Sequence, residues 1–463
     1  MGGDKGYSVL IIGGGTWGSS IALELARNGY SDVTVLDGED VPSSIAAGND
    51  LNKIMEEGSQ SEDDTDAAFA WNRLHDLCTT AWLNDPVYKP HYHRTGYVMA
   101  ASSDAAYEAL LRDISGHETE YQQITTAEEF RKTMPEGVLT GDFEGWRGFA
   151  KAGGAGWVFA RGAIIAAKQE AVRLGVRFIT GQHGSVTELL FTSGTKHEGA
   201  AKGNTLRGVK SADGTIYYAH TTILANGANA DNLIDLKYQL RPTAWTLAHI
   251  KMTASEAELY KDLPVLFNIE KGFFMEPSAE THELKICDEH PGYINPVYRG
   301  PRTDDVVGSL QSREGIVGSR PFARRQIPLE SEERVRAFLK ETMPHLAARP
   351  FSFARICWDA DTVDRMPLID WYRQGEAGGS VKEGRLLLAV GGSGHCFKTM
   401  PAMGQIVLEY LENRIDERTR RAFRWRPEIA EDRNWWHVQG RWGAQGEVMD
   451  FNKVKGWTNI GEN

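Results

Sequence analysis

The chain has 463 residues, of which 41% are hydrophobic, and its formal net charge is −12. A chain of this length can bury more than one core, which predicts two to three domains. The acidic balance without a long Lys/Arg block disfavours a nucleic-acid partner or an anionic membrane surface, and no apolar run approaches the roughly 18 residues of a membrane-spanning helix.

The cysteines and the two ends of the chain indicate in which cellular compartment the protein is expected. The cysteines lie far apart, at Cys78, Cys287, Cys357 and Cys396. They form neither a Cys-x-x-Cys pair nor a cluster with zinc spacing, and a disulfide framework is not expected in a chain this large. Residues 1–7 lack the hydrophobic region of a secretory signal, and residues 459–463 lack a peroxisomal signal. The sequence predicts a cytoplasmic protein with reduced cysteines and no metal site.

The first forty residues predict a strand, a helix and a second strand. Residues 8–12 form the continuous apolar run that is typical of a buried parallel strand. A helix is predicted over residues 19–28, and the second strand covers residues 33–36 and ends at Asp37. This βαβ opening is typical of dinucleotide-binding folds.

The remaining pattern mixes helices with a strand-rich centre. Further helices are predicted at residues 105–115, 126–133, 160–174, 331–342 and 401–411. Strands are predicted at residues 176–180, 222–225 and 385–390, with a hairpin at 206–218. Residues 56–66 predict an acidic, solvated loop, and residues 298–325 a long surface loop. The strand-rich stretch 243–287 departs from the βαβ rhythm and predicts an antiparallel sheet in a second domain.

A glycine motif follows the first strand directly. In Gly13-x-Gly15-x-x-Gly18, the first glycine allows the tight turn and the second lets the backbone approach a pyrophosphate. Gly18 lets the helix pack closely on the strand. Asp37 lies nineteen residues beyond Gly18, at a strand end, where its carboxylate can bind ribose hydroxyls. The motif predicts a dinucleotide but does not separate FAD from NAD.

Two later segments also combine chemically active residues. One begins at Cys357-Trp358-Asp359. The other, residues 391–398, is a glycine loop that contains His395 and precedes a predicted helix. A free cysteine is more often a small buried hydrophobe than a reactive group. A glycine loop before a helix can direct backbone N–H groups at an oxygen that gains negative charge. These segments alone leave their roles open.

Together with the glycine motif, these segments resemble the fungal amadoriases (fructosyl amino acid oxidases) of the monomeric sarcosine oxidase superfamily. The matching segments are residues 13–18, 47–54, 272–277, 285–289, 291–292, 357–362, 392–395 and 423–427. The resemblance implies an α/β fold, with a Rossmann-type FAD-binding domain and a second α+β domain whose antiparallel sheet lies over the flavin. It also implies an FAD-dependent oxidase of secondary amines that consumes O2 and releases hydrogen peroxide.

The resemblance assigns a catalytic role to each of three lysines. Lys53 matches a basic residue over the flavin ring, and Lys398 matches a lysine beside the flavin and the substrate carboxylate. Lys285 matches the lysine that promotes the reaction with oxygen. Cations near the substrate disfavour its ammonium form, and only the neutral amine can release a hydride from the neighbouring carbon.

Two further residues are implied in substrate binding, and one in covalent attachment. Glu276 matches an acid that orients the substrate head group, and Arg441 matches a C-terminal arginine that faces this acid. Cys357 matches the cysteine that is bonded to the flavin 8α-methyl carbon. Motif and resemblance together give the expected cofactor-binding set: Gly13, Gly15, Thr16, Trp17, Gly18, Asp37, Gly48, Lys53, Val186, Cys357, Asp359, Gly394, Phe397 and Lys398.

The resemblance also implies a domain organisation. The FAD-binding domain would be discontinuous, formed by residues 1–95, 150–232 and 350–420. Residues 96–149 and 233–349 would form the substrate domain, and residues 421–463 a tail that contributes to the active site. The expected partners are a small-molecule amine and O2, and a monomer is expected.

Several positions depart from the amadoriase pattern. Asp359 replaces a second cysteine, Asn226 and Asn229 replace an alanine and a tryptophan, and Cys396 replaces a small or polar residue. Three hypotheses therefore stay open. The first is a fructosyl amino acid oxidase, and the second is an oxidase of another secondary amine, such as an N-methyl amino acid, pipecolate or saccharopine, in secondary metabolism. The third is a nicotinamide dehydrogenase or a non-catalytic flavin-binding protein.

Overall fold

The computed structural model describes residues 5–58, 60–192, 205–298, 316–372, 386–438 and 446–460. In these ranges, no helix is long and apolar enough to cross a membrane. The helices of the described residues are α1 (Thr16–Arg27), α2 (Asp66–Asn84), α3 (Asp104–Asp113), α4 (Ala127–Arg131), α5 (Ala160–Arg173), α6 (Ala254–Leu259), α7 (Leu329–Thr342), α8 (Met400–Leu411) and α9 (Glu417–Phe423).

The strands are numbered in chain order. The first twelve are β1 (Val9–Ile12), β2 (Val33–Leu36), β3 (Lys53–Glu56), β4 (Tyr92–His93), β5 (Tyr97–Ala101), β6 (Gln122–Ile124), β7 (Arg147–Lys151), β8 (Ala155–Val158), β9 (Arg177–Ile179), β10 (Val186–Thr192), β11 (Thr205–Ser211) and β12 (Ile216–Tyr218). The others are β13 (Thr221–Leu224), β14 (Leu240–Lys251), β15 (Val265–Asn268), β16 (Gly272–Phe274), β17 (Glu283–Asp288), β18 (Tyr293–Ile294), β19 (Pro296–Tyr298), β20 (Ile316–Ser319), β21 (Phe353–Thr362), β22 (Leu368–Trp371), β23 (Leu386–Val390) and β24 (Met449–Asp450).

A six-stranded sheet carries the predicted βαβ opening. Its order is β22-β23-β13-β1-β2-β9, and all neighbours are parallel except the antiparallel pair at the β22 edge. Every residue of β1 and β2 is buried, which explains why all of them except Thr34 are apolar. Helix α1 packs against α5 and α8, and a Cβ at Gly18 would lie only 1.8 Å from the carbonyl oxygen of Gly13. The glycine therefore permits the close packing of helix and strand.

A ten-stranded, mostly antiparallel sheet forms the second layer. Along its main path the order is β24-β18-β14-β17-β16-β15-β5-β7-β6, and β21 pairs with β14. The β14–β21 ladder runs from Leu240 opposite Thr362 to His249 opposite Phe353. Because side chains alternate across a strand, Arg355, Cys357 and Asp359 lie on one face of β21. This sheet, together with the six-stranded one, confirms the predicted mixed α/β fold class.

Three local expectations need correction. The 19-residue helix α2 has no counterpart among the predicted elements. Within the segment predicted as a loop at residues 298–325, β20 pairs antiparallel with β19, and residues 299–315 lie outside the described residues. In the segment predicted as a solvated loop at residues 56–66, Glu56 ends β3 and Asp66 begins α2, while residues 60–65 are exposed and irregular as predicted. The other predicted helices and the hairpin agree with the structure to within a few residues.

Candidate active site

A cavity of about 500 Å³ lies at the carboxyl ends of the parallel strands and is called here the glycine-loop cavity. Among the predicted cofactor residues, its walls include Gly13, Gly15, Thr16, Trp17, Asp37, Gly48, Lys53, Val186, Asp359, Gly394 and Phe397. Three predicted members do not line it. Gly18 packs beneath the loop, while Cys357 and Lys398 line a second cavity. The structure therefore brings most of the predicted set to one site.

The geometry of the first glycine loop fits a pyrophosphate group. Gly13 has a φ of +96°, and a Cβ there would lie 2.6 Å from the Cα of Asn226. Nothing lies within 4 Å of the corresponding position at Gly15, which faces open space. No side chain caps the N-terminus of α1, so its first N–H groups can serve a phosphate.

Asp37, which directly follows β2, lines the glycine-loop cavity. Its Oδ2 accepts a hydrogen bond from the Gly14 N–H at 2.8 Å, and Oδ1 accepts one from the Glu39 N–H at 3.1 Å. Burial raises the pKa of Asp37, although these two N–H groups act in the opposite direction. Farther along the wall, Asn226 Oδ1 is buried and has no hydrogen-bond partner among the described residues. A dinucleotide with its polar groups therefore fits the residues present.

A larger cavity of about 1030 Å³ lies under the face of the ten-stranded sheet and is called here the sheet cavity. The sheet contributes Trp245, Leu247, Phe267, Phe273, Cys287 and Cys357 to its walls. The opposite side contributes Glu56, Trp71, His75, Arg112, Asp113, Arg365, His395 and Lys398. Lys53, Asp359, Gly394 and Phe397 line both cavities, so the two spaces share a wall.

Lys53 and Lys398 bring positive charge to the sheet cavity. Lys53 Nζ lies 2.5 Å from Asp50 Oδ2. Burial alone would lower the pKa of Lys53, but the charges of Asp50, Cys357 and Asp359 and the hydrogen bond to Asp50 together raise it. Lys398 Nζ lies 3.6 Å from Glu56 Oε2, and its carbonyl oxygen accepts a hydrogen bond from Trp82 Nε1 at 2.7 Å. Each lysine thus places an ammonium group, paired with a carboxylate of the protein, at the wall of the sheet cavity.

Cys357 lies in the middle of β21, opposite Trp245 of β14. The thiol is buried at the wall of the sheet cavity. Burial and the charge of Asp50 raise its pKa to about 11, while Lys53 and Arg355 act in the opposite direction. Cys287 packs near it on the same face and also lines the cavity.

Lys285 is buried outside the lining of both cavities. Its Nζ lies 3.1 Å from Asp50 Oδ2 and donates a hydrogen bond to the Asn52 carbonyl oxygen at 2.8 Å. The same ammonium lies 5.6 Å from the centre of the Phe273 ring, which lines the sheet cavity. The lysine is thus held one layer behind the cavity surface.

Glu276 also lies outside the lining of both cavities. Its carbonyl oxygen accepts a hydrogen bond from Asn52 Nδ2 at 3.2 Å, which ties it to the segment that carries Lys53. Burial, followed by the charge of Asp262, raises the pKa of Glu276 to about 7. Arg441 lies outside the described residues, so its predicted position opposite Glu276 stays a prediction.

Two charged residues at the site have no role in the sequence-based predictions. Asp50 is almost completely buried and contacts Lys53, Lys285 and Arg355. Arg355 precedes Cys357 by two positions, and strand alternation could have indicated that the two share a face. Asp50 lies within the segment 47–54 that resembles the amadoriases. Its distance in the sequence from Lys285 and Arg355 gives no indication that the three side chains are in contact.

The fold and the joined cavities define a dinucleotide-binding protein with an adjoining cavity large enough for an organic substrate. The FAD dependent oxidoreductase family matches residues 8–410. Amadoriase I of Aspergillus fumigatus, a fructosyl amine:oxygen oxidoreductase, is 47% identical with a TM-score of 0.88, and each chain is covered to 100%. Amadoriase II of the same organism, described as a deglycating fructosamine oxidase, is 45% identical with a TM-score of 0.88, over 100% of this chain and 99% of that chain.

A curated relative is more distant. The L-saccharopine oxidase of Schizosaccharomyces pombe is 26% identical over 427 residues, which cover 90% of this chain and 93% of that protein. The chain belongs to the FAD dependent oxidoreductase family and, within it, to the amadoriases.

Proposed function

We propose that the protein is an FAD-dependent oxidase that acts on the C–N bond of fructosyl amino acids, the Amadori products. In the net reaction the amine loses two electrons and two protons to become an imine, and O2 takes them up as hydrogen peroxide. Water then hydrolyses the imine to the amino acid and glucosone, which is deglycation. The observation that carries the proposal is the wall shared by the glycine-loop cavity and the sheet cavity.

When bound, FAD supplies the acceptor for the hydride that leaves the carbon beside the substrate nitrogen. The chain's own residues would bind and orient the amine. Lys53 and Lys398 would bind its carboxylate, and their charge would favour the neutral amine over the ammonium form. Glu276 and Arg441 would orient the head group. Because Glu276 has a pKa of about 7, a positive group beside it would strongly favour its ionised form.

Lys285 would act in the second half of the reaction, in which O2 is reduced to hydrogen peroxide. A buried cation stabilises negative charge that develops on oxygen more strongly than an exposed cation does, because solvent screens it less. Lys285 is 1% exposed, and its ammonium group is held by Asp50 and by the carbonyl oxygen of Asn52.

We further propose that Cys357 carries a covalent bond to FAD. Its position in the wall beside Asp359, which lines both cavities, supports this role. Cys287 provides a matched control, because it is also buried and lines the same sheet cavity. After acid precipitation, flavin absorbance should stay in the pellet for the wild type and for Cys287→Ser, and should appear in the supernatant for Cys357→Ser. Flavin that stays in the Cys357→Ser pellet would exclude this attachment site.

A second candidate is an oxidase of another secondary amine. The likeness to L-saccharopine oxidase over 90% of the chain favours it, as does the departure at Asp359, which lines the sheet cavity as well as the glycine-loop cavity. Peroxide release from fructosyl-valine, fructosyl-lysine, sarcosine, pipecolate and saccharopine distinguishes the two candidates. Release from a fructosyl substrate supports the first, and release from a simple amine alone supports the second. If no peroxide appears and the flavin is not retained, a non-catalytic flavin-binding protein is the better description.

The domain boundaries, the monomeric state and the cytoplasmic location stay predictions. They follow from the resemblance and from the sequence, and the proposed reaction requires none of them. Size-exclusion chromatography with light scattering would test the monomer.

A further inference from the structure

Asp50 is a buried carboxylate to which the proposed reaction assigns no task. Its side chain is 1% exposed, and its Oδ2 lies 2.5 Å from Lys53 Nζ and 3.1 Å from Lys285 Nζ. Its Oδ1 accepts a hydrogen bond from Arg355 Nη2. One carboxylate therefore joins the lysine that lines both cavities to the lysine that is buried behind them.

The three cations come from separate parts of the fold. Lys53 begins β3, while Lys285 lies on β17 and Arg355 on β21. Burial would raise the pKa of Asp50, but the charges of Lys285, Lys53 and Arg355 hold it well below its usual range. The carboxylate is therefore ionised and acts as a common counterion for three cations.

The cations differ in the hydrogen bonds that they make to groups other than Asp50. Arg355 also donates hydrogen bonds to the carbonyl oxygens of Ser44 and Ala46, at 2.8 Å and 3.1–3.2 Å. Lys285 donates otherwise only to the carbonyl oxygen of Asn52 among the contacts of the described residues. Loss of the Asp50 charge would thus leave Arg355 anchored but would deprive Lys285 of its counterion. A buried ion that loses its partner is strongly unfavourable, so its surroundings rearrange.

We propose that Asp50 is a positioning residue that holds Lys53 and Lys285 on one carboxylate oxygen and thereby keeps the Lys285 ammonium in place for the reaction of the reduced enzyme with oxygen. This inference rests on the proposed oxidase function and on the role given there to Lys285. Asp50 touches the two lysines, and it acts through them.

The test measures reoxidation of the holoenzyme after anaerobic reduction by light. Reduced protein is mixed with O2, and the return of flavin absorbance gives a rate constant that needs no amine substrate. We expect Asp50→Asn and Lys285→Met each to slow this reaction about tenfold or more. The double variant should be no slower than Lys285→Met alone, because Asp50 acts through that lysine.

A matched control is Glu409→Gln, which neutralises a buried carboxylate that binds Arg73 away from both cavities. We expect an unchanged rate and an unchanged visible spectrum of the oxidised flavin in this control, and a shifted spectrum in Asp50→Asn. If Asp50→Asn fails to fold, Asp50→Asn/Arg355→Met removes one cation together with the carboxylate and still separates the two lysines. A wild-type reoxidation rate in either Asp50 variant, or losses that multiply in the double variant with Lys285→Met, overturns the proposal. Failure of the proposed function would instead appear as an absence of peroxide release from every amine tested with the wild type.

Discussion

Gly15 illustrates how one residue can be required by a ligand and not by the protein. A Cβ at Gly13 or at Gly18 would collide with backbone atoms, at 2.6 Å and 1.8 Å respectively. Nothing lies within 4 Å of the same position at Gly15, which lines the glycine-loop cavity at the start of α1. The protein itself therefore tolerates a methyl group at Gly15, whereas a pyrophosphate at the helix N-terminus would not.

We accordingly expect Gly15→Ala to fold normally and to bind FAD more weakly. In a Cys357→Ser background, which removes the proposed covalent bond, the dissociation constant for FAD should rise about tenfold or more, or about 1.4 kcal/mol. The control is Gly153→Ala, since Gly153 also has nothing within 4 Å and lines neither cavity. Fluorescence titration of the apoprotein gives both constants. Equal affinities in the two variants would mean that the dinucleotide does not approach Gly15.

Among the elements, β14 connects the sheet cavity to the C-terminal tail. Trp245 and Leu247 of this strand line the cavity, and Arg241 near its start is fully buried. Arg241 Nη1 donates hydrogen bonds to the carbonyl oxygens of Trp435 and His437, both at 2.8 Å. The strand therefore fastens the part of the tail that directly precedes residues 439–445, where Arg441 lies.

Arg241→Met should loosen this attachment without removing the flavin. If Arg441 binds the substrate, KM for the amine should rise about tenfold with a smaller change in kcat, because a binding contact is weakened. Arg349→Met breaks the ion pair with Glu256, outside the lining of both cavities, and should leave KM unchanged. Steady-state peroxide assays and limited proteolysis of the tail measure the two effects. An unchanged KM in Arg241→Met, despite faster cleavage near residue 438, would remove the tail from substrate binding.

Local sequence patterns predicted the elements that consist of an apolar run followed by turn residues. The βαβ opening, the hairpin and the glycine loop before α8 each carry an apolar run with turn residues at its end. Helix α2 was missed because its buried side includes the polar His75 among apolar residues, which weakens the helical periodicity. Strand β21 was missed because Arg355 and Asp359 interrupt its apolar sequence, and these residues belong to the site. Charged residues of the candidate site therefore obscured the pattern of the strand that carries them.

At the scale of the whole molecule, the site exists only where the two large sheets meet. Asp50 is separated in the chain from Lys285 by 235 residues and from Arg355 by 305 residues. No periodicity links positions so far apart, so the sequence could supply candidate lysines through a family resemblance but not their common counterion. The same reasoning applies to Lys53, whose place in both cavities depends on where β3 lies relative to β21.

Two partly buried carboxylates also predict how the stability of the molecule depends on pH. Hydrogen bonding with His249 and Ser352 lowers the pKa of Glu283 to about 2, against the effect of burial. This contribution is present above the ordinary glutamate pKa of about 4.5 and is lost as the pH falls from there towards 2. Burial, followed by the charge of Asp262, raises the pKa of Glu276 to about 7. Its contribution therefore has the opposite sign: it is present below about pH 4.5 and is lost as the pH rises through 7.

Glu276→Gln should flatten the decline in stability between pH 5 and pH 8. Because Glu276 is only partly buried, solvent screening reduces the effect to about 1 kcal/mol, or about 1 °C in the thermal midpoint of a chain this long. Glu283→Gln serves as the comparison, since it should alter the midpoint below pH 4.5 and leave the slope between pH 5 and pH 8 unchanged. Thermal midpoints of the holoenzyme across pH 3 to 8 measure both slopes. A steeper or unchanged decline in Glu276→Gln would show that this carboxyl is already ionised at pH 5, and it would then meet the substrate as an anion throughout the working range.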